Sequence, residues 1–338
     1  MTPRRVLLVS TGGTITMTSG GPAGGISPTL TGEDLVRAVP ELARRADLEV
    51  VSYSMMPGAS LSLGDLVRIA DLVDGRMATD FMGAVVVQGT DTIEDTAFIL
   101  DMLVKSDNPV VVTGAMRGPA APGADGPANL LAAVTVASST ASAGLGAVAV
   151  LNDEIHAGSR VQKSHTALPS AFTSPGFGPF GRVIEGRVHR YARLPRLQAL
   201  ARPADADATG VALVTIPLGD DGRLLDALPG LGYRGAVIEA MGAGHLPARV
   251  ADKVEALAAV MPVVLSTRVQ AGPVFQGTYG FKGSEMDLIA RGAIPGGYLT
   301  AGKACLLLRL LIANGLSGDA LRDAFHARSN TPLVETPD

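Results

Sequence analysis

The chain has 338 residues, nearly half of them apolar, and no tryptophan. That is enough for two compact domains, each with its own core, and it excludes a disordered, tail-like protein. The formal net charge of -4 is spread without long runs of one sign, so there is no electrostatic footprint for nucleic acid or an anionic membrane, and a small molecule is the expected partner.

The chain opens on a basic pair, Arg4-Arg5, followed at once by the strand-like run Val6 to Val9. No small-residue cleavage site stands behind a long apolar segment, so the expected compartment is the cytoplasm. The first strand ends in Ser10-Thr11-Gly12-Gly13-Thr14-Ile15. The loop from Thr11 to Gly32 is too long and glycine-rich to be a mere connector. Thr31, three residues before Asp34, starts a helix, and a second strand follows at Leu48 to Tyr53. Ser62 and Asp65 repeat the start signal, and Val85 to Val87 gives the next strand. Its end reads Gln88-Gly89-Thr90-Asp91-Thr92, where Thr92 with Asp95 is expected to cap the following helix. Capping leaves Thr90 and Asp91 unexplained.

Val110 to Val112 forms another strand and ends in Thr113-Gly114-Ala115-Met116-Arg117. The stretch Gly126 to Asn152 carries no formal charge and is long enough to cross a bilayer if it were uniformly apolar. Its centre, Ser138-Ser139-Thr140-Ala141-Ser142 with Gly144 and Gly146, instead marks a helix, a turn and a strand at Ala147 to Leu151. From Tyr191 to Thr209 the rhythm breaks, with Pro195, Pro203 and a polar run. Strands resume at Val211 to Ile216 and Val263 to Leu265, with helices expected at Pro247 to Ala259, Glu285 to Arg291 and Leu299 to Asn314. The glycine-rich loop Gly272 to Gly283 is a second candidate binding loop. Cys305, the only cysteine, lies in the apolar run Ala304 to Leu308 and reads as core filler, with no disulfide or thiolate cluster open to it.

Strands alternating with helices predict an α/β fold with a larger N-terminal, parallel-sheet, Rossmann-like domain and a smaller C-terminal α/β domain. The expected boundaries are residues 1–190, a linker at 191–210 and a second domain at 211–338. Three polar strand ends, after Val9, Val87 and Val112, would meet where open α/β sheets place ligands. At the end of the first strand neither G-x-G-x-x-G nor G-x-x-x-x-G-K-[ST] stands, and Leu48 to Tyr53 runs into Ser54-Met55-Met56-Pro57 without the acidic residue a dinucleotide site requires. Both points weigh against a Rossmann-like oxidoreductase. A non-catalytic amino-acid sensor is a further alternative, needing the crevice but not a nucleophile. The five histidines, His156, His165, His189, His245 and His326, show no metal-ligand spacing, and no metal or other cofactor is expected.

Four motifs in order, Thr11-Gly12-Gly13-Thr14-Ile15, Gly89-Thr90-Asp91-Thr92, Gly114-Ala115-Met116-Arg117 and Ala124-Asp125-Gly126-Pro127 with Asn129-Leu130, make the chain similar to the bacterial-type L-asparaginase/glutaminase family. The resemblance implies hydrolysis of L-asparagine to L-aspartate and ammonia, with weaker action on L-glutamine. It implies Thr14 as nucleophile, with Thr90, Asp91 and Lys163 as the supporting catalytic set. It also implies a homotetramer of tight dimers, or a homodimer, in which the C-terminal domain completes the neighbouring subunit's site. Physically, a threonine hydroxyl needs a base beside it, and a lysine serves only when part of it is neutral. An adjacent Asp91 would favour the charged lysine; the resemblance instead gives Asp91 the substrate's α-ammonium. Backbone N–H groups near Thr90 and Ala115 are candidate oxyanion donors.

The substrate-binding set implied in this way is Gly13, Ser60, Gly89, Thr90, Asp91, Ala115, His245 and Glu285. Three positions depart from the family pattern. Secreted members supply an activating tyrosine from the loop after the first threonine, whereas Thr16 to Thr31 has none, and Ser27 is the candidate loop activator. Pro57-Gly58-Ala59-Ser60 replaces a serine-glutamine contact, and Gly242-Ala243-Gly244-His245 replaces a glycine-asparagine run.

Overall fold

The computed structural model describes residues 4–13, 15, 17–19, 26–28 and 31–330. The chain divides into two compact units, Met1–Leu200 and Ala201–Asp338.

In the first unit the elements run β1 (Arg5–Ser10), β2 (Met17–Ser19), β3 (Ile26–Pro28), α1 (Gly32–Arg37), β4 (Asp47–Ser52), α2 (Leu63–Met77), β5 (Phe81–Val87), α3 (Ile93–Leu103), β6 (Val110–Thr113), α4 (Gly126–Ala137), β7 (Ala147–Leu151), β8 (Glu154–Ala157), β9 (Gln162–Lys163), β10 (Phe172–Thr173), β11 (Gly181–Ile184) and β12 (Arg187–Arg190). Its main sheet has eight strands in the order β12-β11-β8-β7-β6-β5-β1-β4. The pairs from β4 to β7 are parallel. Val6 to Val9 and Ala84 to Val87 are buried throughout, as expected for strands covered on both faces.

Ser10 lies level with Ser52 of β4 and Val87 of β5, and Val87 level with Thr113 of β6, so four carboxyl ends share one row. The chain leaves β1 toward β4 on one side and returns to β5 on the other. That reversal opens a crevice at the strand ends, the usual ligand site of such sheets. The helices α1 and α2 begin with capping boxes, Thr31 with Asp34 and Ser62 with Asp65, as expected. The parallel-sheet expectation is incomplete in one respect, because β8, β11 and β12 extend the sheet antiparallel. The outer two of these, β11 and β12, are short and largely exposed, so they lack the continuous apolar signal of a buried strand.

The second unit contains β13 (Val211–Thr215), α5 (Arg223–Ala227), β14 (Gly235–Ala240), α6 (Ala248–Ala258), β15 (Val263–Thr267), α7 (Glu285–Ala290), β16 (Ile294–Pro295), α8 (Ala301–Ala313) and α9 (Gly318–Ser329). Its four strands pair in parallel in chain order. On α6 the residues Val250, Ala251, Val254 and Leu257 are buried, the three-and-four spacing that turns one helix face to a core. Cys305 on α8 is half-buried, less enclosed than core filler. No helix among the described residues is long and apolar enough to cross a membrane.

Candidate active site

The crevice is built first from backbone. Thr11 donates its N–H to Val87 O at 2.9 Å, and its own carbonyl accepts from Met56 N–H and Ser54 Oγ, both at 2.9 Å. Gly13 has φ +94°, and a Cβ there would lie 2.1 Å from the backbone nitrogen of Gly89. A Cβ on Gly89 would in turn lie 2.8 Å from Gly58 N. No side chain fits between these segments, so glycine is what lets the ends of β1 and β5 and the turn after β4 stack directly.

Thr92 corrects an expectation. It makes no side-chain cap to α3. Its hydroxyl donates to Gly58 O at 3.0 Å and accepts from Gln88 Nε2 at 3.0 Å. The carbonyl brought in by the Gly58 turn captures a hydroxyl that local sequence assigns to the helix end.

Lys163 arrives from the short ribbon of β9 and β10, where it pairs with Phe172. Its backbone N–H donates to Glu94 Oε2 at 2.8 Å. Its ammonium donates to Thr90 Oγ1 at 2.9 Å and Asp91 Oδ1 at 2.8 Å. Thr90 is buried, while the Asp91 side chain is 65% exposed. An ion pair so open to water contributes at most about 1 kcal/mol, so stability alone is a weak reason for the arrangement. Glu94, on the first turn of α3, is a positioning residue that sequence reasoning missed; it lies 69 positions from its partner.

The Ala115 loop is held by α4. Asp125 accepts from Met116 N–H at 3.0 Å and Arg117 N–H at 2.9 Å. Asn129 Nδ2 donates to Gly114 O at 2.9 Å, and its Oδ1 accepts from Asn152 N–H at 2.9 Å. Ala115 is buried behind these contacts.

Gly13, Gly89, Thr90, Asp91, Ala115 and Lys163 therefore belong to one unit, all but Lys163 directly on adjoining strand ends. Ser60 is exposed at the end of the short turn Gly58–Ser60, whose Gly58 backbone is the part that packs against Gly89. Thr14 and the side chain of Ser27 lie outside the described residues.

In the second unit His245 and Glu285 meet, with His245 Nε2 3.1 Å from Glu285 Oε2. Glu285 is fully buried at the start of α7, and its other oxygen accepts from Thr278 N–H at 3.0 Å and Tyr279 N–H at 2.7 Å. Burial opposes the charge on Glu285, but the backbone donors and His245 outweigh it and hold the carboxyl below its ordinary value. The rings of Tyr279 and Phe281 stand edge-on to His245 at 4.8 and 5.2 Å. The loop Gly272 to Gly283 thus supplies both the donors and the aromatic walls of this pair. Among the described residues no group of three or more His, Cys, Asp or Glu side chains is placed to hold a metal ion.

Residues 5–196 match the family described as Asparaginase, N-terminal, and residues 210–325 match the Glutaminase/Asparaginase C-terminal domain. The chain is similar to an L-asparaginase of Bacillus licheniformis, at 32% identity over 95% of this chain and 99% of that one. It is also similar to L-asparaginase 2 of Escherichia coli, at 32% identity over 95% and 92%. Among solved structures, a probable cytoplasmic L-asparaginase from Campylobacter jejuni superposes with a TM-score of 0.85 at 29% identity, covering 95% of this chain and 99% of that chain.

Proposed function

Because the chain belongs to the asparaginase family, we propose that it hydrolyses L-asparagine to L-aspartate and ammonia in the cytoplasm, as a step of asparagine catabolism, with weaker action on L-glutamine. The observation that carries this reading is the ammonium of Lys163 lodged between Thr90 Oγ1 and Asp91 Oδ1 at the sheet's crevice.

In the proposed reaction the Thr14 hydroxyl adds to the side-chain amide carbon. Backbone N–H groups near Thr90 and Ala115 receive the oxyanion, ammonia leaves with a proton, and water resolves the acyl-enzyme. Asp91 takes the substrate's α-ammonium. Thr90, hydrogen-bonded to Lys163, is assigned the proton that Thr14 gives up, which passes on to the departing ammonia. Gly13, Gly89 and Ser60 complete the pocket in this reading, and Ser27 is the loop hydroxyl assigned to activation. His245 and Glu285 are assigned to the neighbouring subunit's site within a homotetramer of tight dimers; the buried, charged Glu285 and its aromatic surround support a role beyond packing.

The test is ammonia release from L-asparagine and L-glutamine by the purified chain and by Thr14→Ala. Release from asparagine that disappears in the variant supports the proposal. Undiminished release by the variant removes Thr14 from the chemistry, and no release by the unaltered chain removes the activity.

A further inference from the structure

A cavity of about 440 Å³ opens on the first unit, and its walls include four arginines, Arg4, Arg44, Arg45 and Arg187, beside Thr135 and Ser138. Among the described residues no acidic one lines it. Arg4 directly precedes β1 and Arg45 lies two residues before β4, so the cavity adjoins the amino ends of strands whose carboxyl ends form the crevice. It is a separate site from the proposed active centre.

Other arginines of this unit are matched with carboxylates, while Arg117 and Arg190 donate to the carbonyls of Gly123 and Ala143. Arg5 meets Asp80 at 2.7 Å, Arg68 meets Asp65 at 2.6 Å, Arg76 meets Glu49 at 2.6 Å and Arg182 meets Glu154 at 2.6 Å. The four cavity arginines form no ion pair among the described residues. Like charges gathered without a counter-charge repel one another, in a chain whose net charge is negative.

Two of the four have structural duties. Arg4 donates to Ser138 O at 2.9 Å, and Arg45 donates to Gly186 O at 3.1 Å. Ser138 follows the carboxyl end of α4, the pole of a helix that repels anions, and Arg4 covers its carbonyl. Gly186 has φ +64°, and a Cβ there would lie 2.1 Å from the Arg45 guanidinium. The absent side chain leaves the space that Arg45 occupies. These contacts fix two guanidinium groups at the wall but account for neither Arg44 nor Arg187.

We propose that this cavity binds a compact anion carrying at least two phosphate groups. Guanidinium forks match phosphate oxygens in pairs, which a lysine cluster would not do. The volume falls in the range of small-molecule sites, roughly 300–1,000 Å³, and a compact cluster suits a small ligand better than the extended stripe that follows a nucleic-acid backbone.

Inorganic pyrophosphate titrated calorimetrically into the full chain tests the proposal, beside the double variant Arg44→Glu, Arg187→Glu. Neither residue holds a backbone carbonyl among the described residues, and asparagine turnover by the variant checks that it is folded. The expected result is saturable binding at one site per chain, weakened at least about tenfold in the variant. No saturable binding to the unaltered chain, or equal binding to both proteins, overturns it. A parallel titration with ADP separates the sources: tighter binding than pyrophosphate supports a nucleotide ligand, and weaker or equal binding supports a free diphosphate.

Discussion

Of the polar clusters in the first unit that combine a hydroxyl, a basic group and a carboxylate, two invite comparison, and one of the two is placed for chemistry. His156 Nδ1 is paired with Ser174 Oγ at 2.9 Å, and its Nε2 lies 3.4 Å from Glu154 Oε2 without hydrogen-bond geometry. By residue type this set resembles a hydrolase triad more closely than Thr90, Asp91 and Lys163 do. Yet His156 and Ser174 are 1% and 3% exposed, so no substrate reaches the hydroxyl. Lys163 and Asp91, in contrast, are 18% and 65% exposed on their side chains and meet at the strand-end crevice. Access and position on the sheet distinguish the two sets; residue type does not.

Exchanging Lys163 for Met should separate chemistry from folding most sharply. The expected loss in kcat/KM is about 10²–10⁴-fold, the usual range for a positioned proton-transfer group. The thermal midpoint should fall only modestly, because the ion pair with Asp91 is exposed and the one hydrogen bond lost at Thr90 contributes about 1 kcal/mol. A marked fall in stability alongside the lost activity would mean that Lys163 belongs with the structural cluster.

Ser174→Ala should show the reverse behaviour. It leaves the buried His156 nitrogen without its partner, at a cost of about 1–3 kcal/mol in chemical unfolding, with kcat little changed. Ser174 directly follows β10, the strand paired with Lys163, so a large fall in kcat would show that the buried cluster also positions the lysine.

The same histidine predicts a pH dependence. Burial, opposed by Glu154 and assisted by the Arg182 charge, holds the His156 imidazole below its ordinary value of 6.5. The native state therefore takes up this proton less readily than the unfolded chain. Stability should fall as pH drops below about 6.5, and this contribution should level off once the native imidazole protonates. His156→Gln should flatten the decline in urea midpoints measured between neutral and mildly acidic pH; an unchanged slope would assign it to other groups.

What sequence can convey follows the range of the interactions. The buried run Val6 to Val9 and the caps at Thr31 and Ser62 depend on near neighbours, and they form as expected. Lys163 is reached only through family resemblance, since its backbone is fixed by Glu94 from 69 positions away. Thr92 misleads because Thr-x-x-Asp has the form of a capping box, while the competing carbonyl comes from Gly58, 34 positions upstream. His245 and Glu285 can be named singly, but their pairing depends on backbone donors in the Gly272 to Gly283 loop that no spacing rule specifies.

That threonine supplies the finest test. Thr92→Val removes the donor to Gly58 O and should cost about 1 kcal/mol, but loss of an N-cap would cost a similar amount. Thr92→Asp separates the two explanations. Aspartate is among the best N-caps, so it would retain stability if capping were the role. In the observed geometry its carboxylate would face the Gly58 carbonyl with no proton to donate, and it should be less stable than the valine variant. Urea midpoints of the three proteins decide it: wild type above valine above aspartate supports a tie between strand ends, and aspartate level with wild type restores the cap.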